Sequence, residues 1–165
     1  MTIAVGSTLP DATLLIKDAA GVTQPVRMAD KLKGRKVVLF GLPGAFTSTC
    51  SAAHVPSFMR VADRLRAKGV DEIICLSVND PAVMQAWGRI TGATDKGITM
   101  LADADASFTK AVGLNFTHAA SGFFDRSSRY ALYAEDGVVK VLNMGRESAA
   151  CEISGGETML EAIPA

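Results

Sequence analysis

The stretch from Val37 to Val55, VVLFGLPGAFTSTCSAAHV, constrains the fold more than any other. Val37 to Leu42 is nearly all apolar, the composition of a strand covered on both faces. Pro43-Gly44 turns the chain, and a helical pattern begins around Cys50. Val55, Phe58, Met59, Ala62 and Leu65 recur at spacings of three and four before Lys68-Gly69, a basic last turn with a glycine past its end. Pro56 removes one backbone donor inside this helix and predicts a kink. A strand that must be covered twice, feeding directly into a helix, calls for a sheet with helices on both faces.

The rest of the chain fits that plan. Alternation over Ala12, Leu14 and Ile16 reads as a strand, Asp18 to Gly21 as a turn, and Val22 to Val26 as its partner. Met28 to Leu32 forms one helical turn. Glu72 to Val78 (EIICLSV) is a second buried strand. Asp80 then caps a helix with Pro81 at its first position, running through Met84, Trp87 and Ile90 to Gly92. Ile98 to Leu101 is strand-like, and Asp105 to Val112 reads as a helix closed by Gly113. Residues 114–128 show no clean period and read as a long loop. Arg129 to Ala134 and Val138 to Met144 are joined across Asp136-Gly137, a strong hairpin signal. Glu157 to Ile163 closes the chain as a helix. The expectation is one α/β domain spanning 1–165, with a mixed sheet between helices.

Composition narrows the function classes. Seventeen Lys and Arg balance seventeen Asp and Glu, so charge gives no reason to expect nucleic acid or an anionic membrane as partner. No apolar run approaches the ~20 residues of a membrane span. The N-terminal stretch lacks a basic start and a long apolar centre, which makes the cytoplasm the expected address. Three cysteines do not make a disulfide framework; in a reducing compartment they are buried, catalytic or redox-active.

Cys50 therefore has two readings. At a helix start, backbone N–H groups and the positive end of the helix favour a thiolate, and Thr47, three positions earlier, can set its hydroxyl beside the sulfur. Alternatively, Cys50 is a small buried residue and Thr47 or Ser48 merely caps the helix. The residue types alone leave both open.

Pro43-x-x-x-Thr47-x-x-Cys50, within GLPGAFTSTCSAAHVPSF, resembles the active-site motif of peroxiredoxins, in the form of the atypical type II (peroxiredoxin-5-like) subfamily. Gly69 to Gly88 and Arg129 to Asn143 resemble that subfamily too, so the likeness spans most of the chain. The resemblance implies a thioredoxin-like fold and a thiol peroxidase that reduces hydrogen peroxide and small organic hydroperoxides without metal or organic cofactor. Cys50 would be the peroxidatic cysteine, passing through a sulfenic acid. Thr47 would orient the peroxide, Pro43 would shield the site, and Arg129 would favour the thiolate and bind the peroxide oxygens. Arg126, three residues earlier, is the decoy.

The thiol that resolves Cys50 is open. Cys75 matches a second cysteine of plant-like type II members, although its place in EIICLSV also suits an inert core residue. Cys151, in ESAACEISGG, lies near the loop where mammalian-like members keep a resolving cysteine, and is the favoured partner. The third option is an outside reductant: glutathione, glutaredoxin or thioredoxin. His54, one turn after Cys50, invites a Cys-His hydrolase reading but has no third orienting residue, so it reads as a packed helix residue. His118 has no ligand cluster around it. The resemblance extends to a homodimer packed through loops near Pro43 to Phe46 and Phe116. A different class, a non-enzymatic redox sensor or binding module built on the same thiol, differs in that it need not turn over.

Overall fold

A computed structural model describes residues 1–47, 49–145 and 153–164, with the side chains of 49–51 outside that description. Its elements are β1 (Thr13–Lys17), β2 (Thr23–Arg27), α1 (Met28–Leu32), β3 (Lys36–Gly41), α2 (Thr49–Ala67), β4 (Glu72–Ser77), α3 (Pro81–Thr91), β5 (Ile98–Ala102), α4 (Ser107–Ala111), β6 (Asn115–His118), β7 (Phe123–Ser127), β8 (Tyr130–Glu135), β9 (Val138–Met144) and α5 (Gly156–Ala162). Seven strands form one sheet in the order β2-β1-β5-β4-β3-β8-β9. The β5, β4 and β3 strands run parallel, and β8 joins β3 antiparallel, with Gly41 opposite Tyr130.

The period of two along β3 divides the core. Val38 and Phe40 face a cluster with Val55, Phe58, Ala62 and Leu65 of α2, Met84 and Trp87 of α3, and Met159 of α5. Val37 and Leu39 face the opposite layer, with Met28 and Leu32 of α1 and Phe108 of α4. Every residue from Val37 to Phe40 is fully buried, which is why the strand tolerates no polar alternation. Phe40 stacks on Phe58 with ring centroids 4.1 Å apart, seating α2 on the sheet. This is the thioredoxin-like mixed sheet with helices on both faces.

Local signals fare well where the chemistry is local. Asp80 accepts from the Val83 N–H at 2.9 Å with Pro81 behind it, and Gly92 ends α3 in the left-handed region. Helix α2 continues through Pro56 as one element. Two expectations need correction. Helix α4 begins only at Ser107, because Ala106 has φ +61° and breaks helical continuity; the buried Asp103 carboxylate instead accepts from the Phe108 and Thr109 N–H groups. Residues 114–128 are not a loop: β6 and β7 pair antiparallel around a 3₁₀ turn at Ala119–Ser121. Their register shifts between Phe116 and His118, and Gly122 and Asp125 take positive φ, so no strand-like alternation survives in the sequence.

Candidate active site

The β3–α2 loop carries the Pro43-x-x-x-Thr47 segment out of the buried strand. Three side chains distant in sequence fix it. The Ala45 N–H donates to Asn79 Oδ1 at 2.9 Å, and Ser77 Oγ donates to the same oxygen at 2.6 Å. Arg126 Nη1 donates to the Pro43 carbonyl at 3.0 Å. Gly44 lies so close under the Arg126 guanidinium that a Cβ there would collide with it. Thr47 Oγ1 donates to the Gly44 carbonyl at 2.6 Å, which orients the hydroxyl oxygen. At the loop's outer corner Phe46 is exposed, with φ +59°, its ring 6.3 Å from that of Trp87.

The loop delivers the chain to the start of α2, whose second residue is Cys50. The Cys50 side chain lies outside the described residues. Its position is one at which first-turn N–H groups lack intrahelical acceptors and the helix dipole favours an anion. Four residues on, on the same helix face, His54 is fully buried. Its Nε2 lies 2.8 Å from the Ser154 carbonyl, and its Nδ1 3.2 Å from Arg129 Nη1. A carbonyl only accepts, so the imidazole proton sits on Nε2, and Nδ1 accepts from the guanidinium. Burial, with the Arg129 charge adding to it against the Ser154 carbonyl, drives the His54 pKa down to about 3. The imidazole is neutral.

Arg129 immediately precedes β8 and is only 7% exposed. The antiparallel pairing of β8 with β3 sets it at the same sheet end as the Pro43 loop. Arg129 thus packs on α2 through His54, at the sheet end from which the Pro43 loop leaves; a guanidinium near a thiol at a helix N-terminus would stabilise a thiolate and an oxyanion.

Sequence reasoning missed three supports. Asn79 stands just before the Asp80 cap with no signal of its own, Arg126 reads only as a decoy, and His54 only as packing; each acts on a partner far away in the chain. Of the other cysteines, Cys75 sits fully buried in β4 between Phe40 and Met100, and burial pushes its thiol pKa up. Cys151 lies outside the described residues. His118 is exposed, its Nδ1 2.8 Å from Ser121 Oγ. Among the described residues no group of three or more His, Cys, Asp or Glu could hold a metal ion, and no helix is long and apolar enough to cross a membrane.

Residues 4–160 match the family model Redoxin. The chain is 48% identical to peroxiredoxin-2E-2, chloroplastic, of Oryza sativa subsp. japonica, over 98% of this chain and 73% of that protein. It is 45% identical to peroxiredoxin-2C of the same organism, over 98% of each. The chain belongs to the peroxiredoxins. A solved structure of reduced Prx3 from Vibrio vulnificus in complex with hydrogen peroxide superposes with a TM-score of 0.91 at 47% identity, covering 99% of this chain and 100% of that one. This peroxiredoxin is accordingly a thiol peroxidase: its substrate is a peroxide and its electrons come from a thiol.

Proposed function

We propose that Cys50 is the peroxidatic nucleophile. Its thiolate attacks one oxygen of a hydroperoxide; the S–O bond forms as the O–O bond breaks, leaving a sulfenic acid on Cys50 and an alkoxide or hydroxide that takes a proton. Arg129 stabilises the thiolate and then the charge passing to the leaving oxygen. The Thr47 hydroxyl, oriented through the Gly44 carbonyl, accepts from the peroxide and aligns it. Pro43 screens the site from water. The observation that carries this reading is the burial of Arg129 against the first turns of α2, through a side chain 75 positions away. Hydrogen peroxide, held by the Vibrio vulnificus relative, and small organic hydroperoxides are the substrates we assign.

For the second half-reaction a thiol attacks the Cys50 sulfenic sulfur, forming a disulfide and releasing water. Cys151 is the proposed intramolecular partner, on a segment that precedes the docked Ser154. Full burial argues against Cys75 in that role, since a resolving thiol must be reached. Glutathione, glutaredoxin or thioredoxin would then reduce the disulfide, in the cytoplasm or another reducing compartment. Exposure of Phe46 in the loop before α2 and of Phe124 in β7 supports a homodimer packed through these surfaces.

The test is one experiment in two arms. Cys50→Ser should abolish peroxide consumption coupled to dithiothreitol; substantial residual turnover sinks the assignment. Wild-type protein treated with one equivalent of peroxide should yield a Cys50–Cys151 linkage in non-reducing peptide maps. A sulfenic acid on Cys50 without that linkage transfers resolution to an outside thiol.

A further inference from the structure

β1 pairs with β2, and β5 with β4, along their whole lengths, yet β1 and β5 share a single ladder pair, Leu15 opposite Ala102. Past that pair the two strands part, and a cleft of about 370 Å³ opens between them and the C-terminal half of α3. Because β5 runs parallel to β4 and β3, the cleft lies at the sheet end opposite the Pro43 loop. Its size falls at the small end of the range for small-molecule sites. Ile98 and Met100, both buried, give it an apolar wall.

Charge is unevenly distributed around this cleft. Lys17 is half-buried in the lining and Arg89 is exposed, and neither takes part in an ion pair among the described residues. The one carboxylate in the lining, that of Asp18, is turned into its own loop. Its Oδ1 accepts from the Ala20 and Val22 N–H groups at 3.0 and 2.9 Å, and its Oδ2 from Gln24 Nε2 at 3.2 Å. Thr99 gives its hydroxyl proton to Glu72, which already pairs with Lys31 and Arg35. The Trp87, Gly88 and Arg89 carbonyls of α3 are occupied by Thr91 Oγ1 and the Thr94 and Gly92 N–H groups, so the cations set the sign of the cleft. Gln85 lies one turn before Arg89 on the same helix face. Its Nε2 donates to the Asp18 carbonyl at 2.8 Å; a carbonyl only accepts, so the amide nitrogen is fixed there and Oε1 is the acceptor left over.

We propose that this cleft is a second small-molecule site, for a carboxylate that carries a compact apolar body and a hydrogen-bond donor. The carboxylate pairs with Lys17 and Arg89, the body covers Ile98 and Met100, and the donor meets Gln85 Oε1. N-acyl amino acids have this chemistry. Molecules charged negatively at both ends do not suit it, since Asp18 and Gln85 Oε1 repel the second anion.

The probe is N-acetyl-L-leucine, with uncharged N-acetyl-L-leucinamide as its control, titrated into the full reduced protein and followed by amide NMR shifts. N-acetyl-L-leucine should produce saturable shifts at residues 16–19, 85–89 and 97–100, with a Kd of about 1 mM or below. The amide control should bind about tenfold more weakly or worse, and so should N-acetyl-L-leucine to the Lys17→Gln, Arg89→Gln double variant. Gln85→Glu, which sets an acid against the ligand, should weaken binding as much. If Lys17→Gln disturbs β1, Arg89→Gln on the exposed face of α3 carries the comparison by itself. A second readout is stability: the ligand should raise the urea midpoint of the wild type and leave that of the double variant unmoved. Absence of saturable shifts at these residues up to about 10 mM overturns the proposal. Equal binding of acid and amide overturns it too, as do shifts confined to the Pro43 loop, which would place the ligand at the peroxide site. Lys17, Gln85 and Arg89 stand apart from that site, so turnover with hydrogen peroxide should stay at the wild-type rate in every variant.

Discussion

His54 and Arg129 share a buried hydrogen bond in which only one partner carries charge. Protonating the imidazole would set a second cation against the first in a place that water does not reach. The folded protein therefore resists a proton that the unfolded chain accepts at the ordinary value of 6.5. The sign follows from that difference. Above pH 6.5 neither state is protonated at this residue and its neutral form costs nothing. As pH falls from 6.5 toward about 3 the unfolded state gains a proton that the folded state lacks, and stability declines. The slope is at most about 1.4 kcal/mol per pH unit. Urea titrations between pH 6.5 and 5, where carboxylates remain ionised, should show this decline in the wild type and lose most of it in His54→Gln. Equal slopes in the two proteins would contradict a neutral, buried His54.

At the scale of elements, α5 returns the chain to α2 and is held along its length. His54 and Ser57 bind its approach, and Lys68 Nζ donates to the Leu160 and Ile163 carbonyls at 2.6 and 2.7 Å, closing its far end. Gly156 sits against the Ser57 carbonyl, where a Cβ would strike backbone that cannot swing aside. Gly156→Ala should destabilise the protein by about 1–3 kcal/mol, by overpacking. Hydrogen exchange in α5 should rise more than in β4. An unchanged urea midpoint would show that α5 is not clamped there. Elements of this kind divide by what the chain can announce locally. β3, α2 and α3 declare themselves through continuous apolar runs, helical spacing and the Asp80-Pro81 start. β6 and β7 do not, because a register shift and positive-φ residues erase their alternation. The site divides in the same way. Pro43, Thr47 and Cys50 lie within one motif, and Arg129 was reachable through family likeness. Asn79, Arg126 and His54 act only across the fold, and no spacing in the sequence encodes those contacts.

For the whole molecule, both layers of the core are well covered, and two large aromatics are left in water. Phe46 is 56% exposed at the loop before α2 and Phe124 is 62% exposed in β7. Exposed aromatics of this size are candidates for burial by a second copy. Sedimentation at micromolar concentration should give twice the chain mass, and Phe46→Arg should shift it toward the monomer. A wild-type monomer would remove the homodimer from the proposal. The sheet's connectivity carries a further consequence. β3 ends in the loop that leads to Cys50, whereas Arg129 enters with β8, and their alignment depends on the antiparallel ladder that places Gly41 opposite Tyr130. That ladder closes a long loop of chain, and pairing across such a sequence separation carries an entropic cost that slows folding. A nascent or refolding chain can therefore hold its thiol well before it holds its arginine. If Arg129 activates Cys50 as proposed, peroxide reactivity would report the joining of β8 to β3, and a chain lacking that joining would keep a less reactive sulfur.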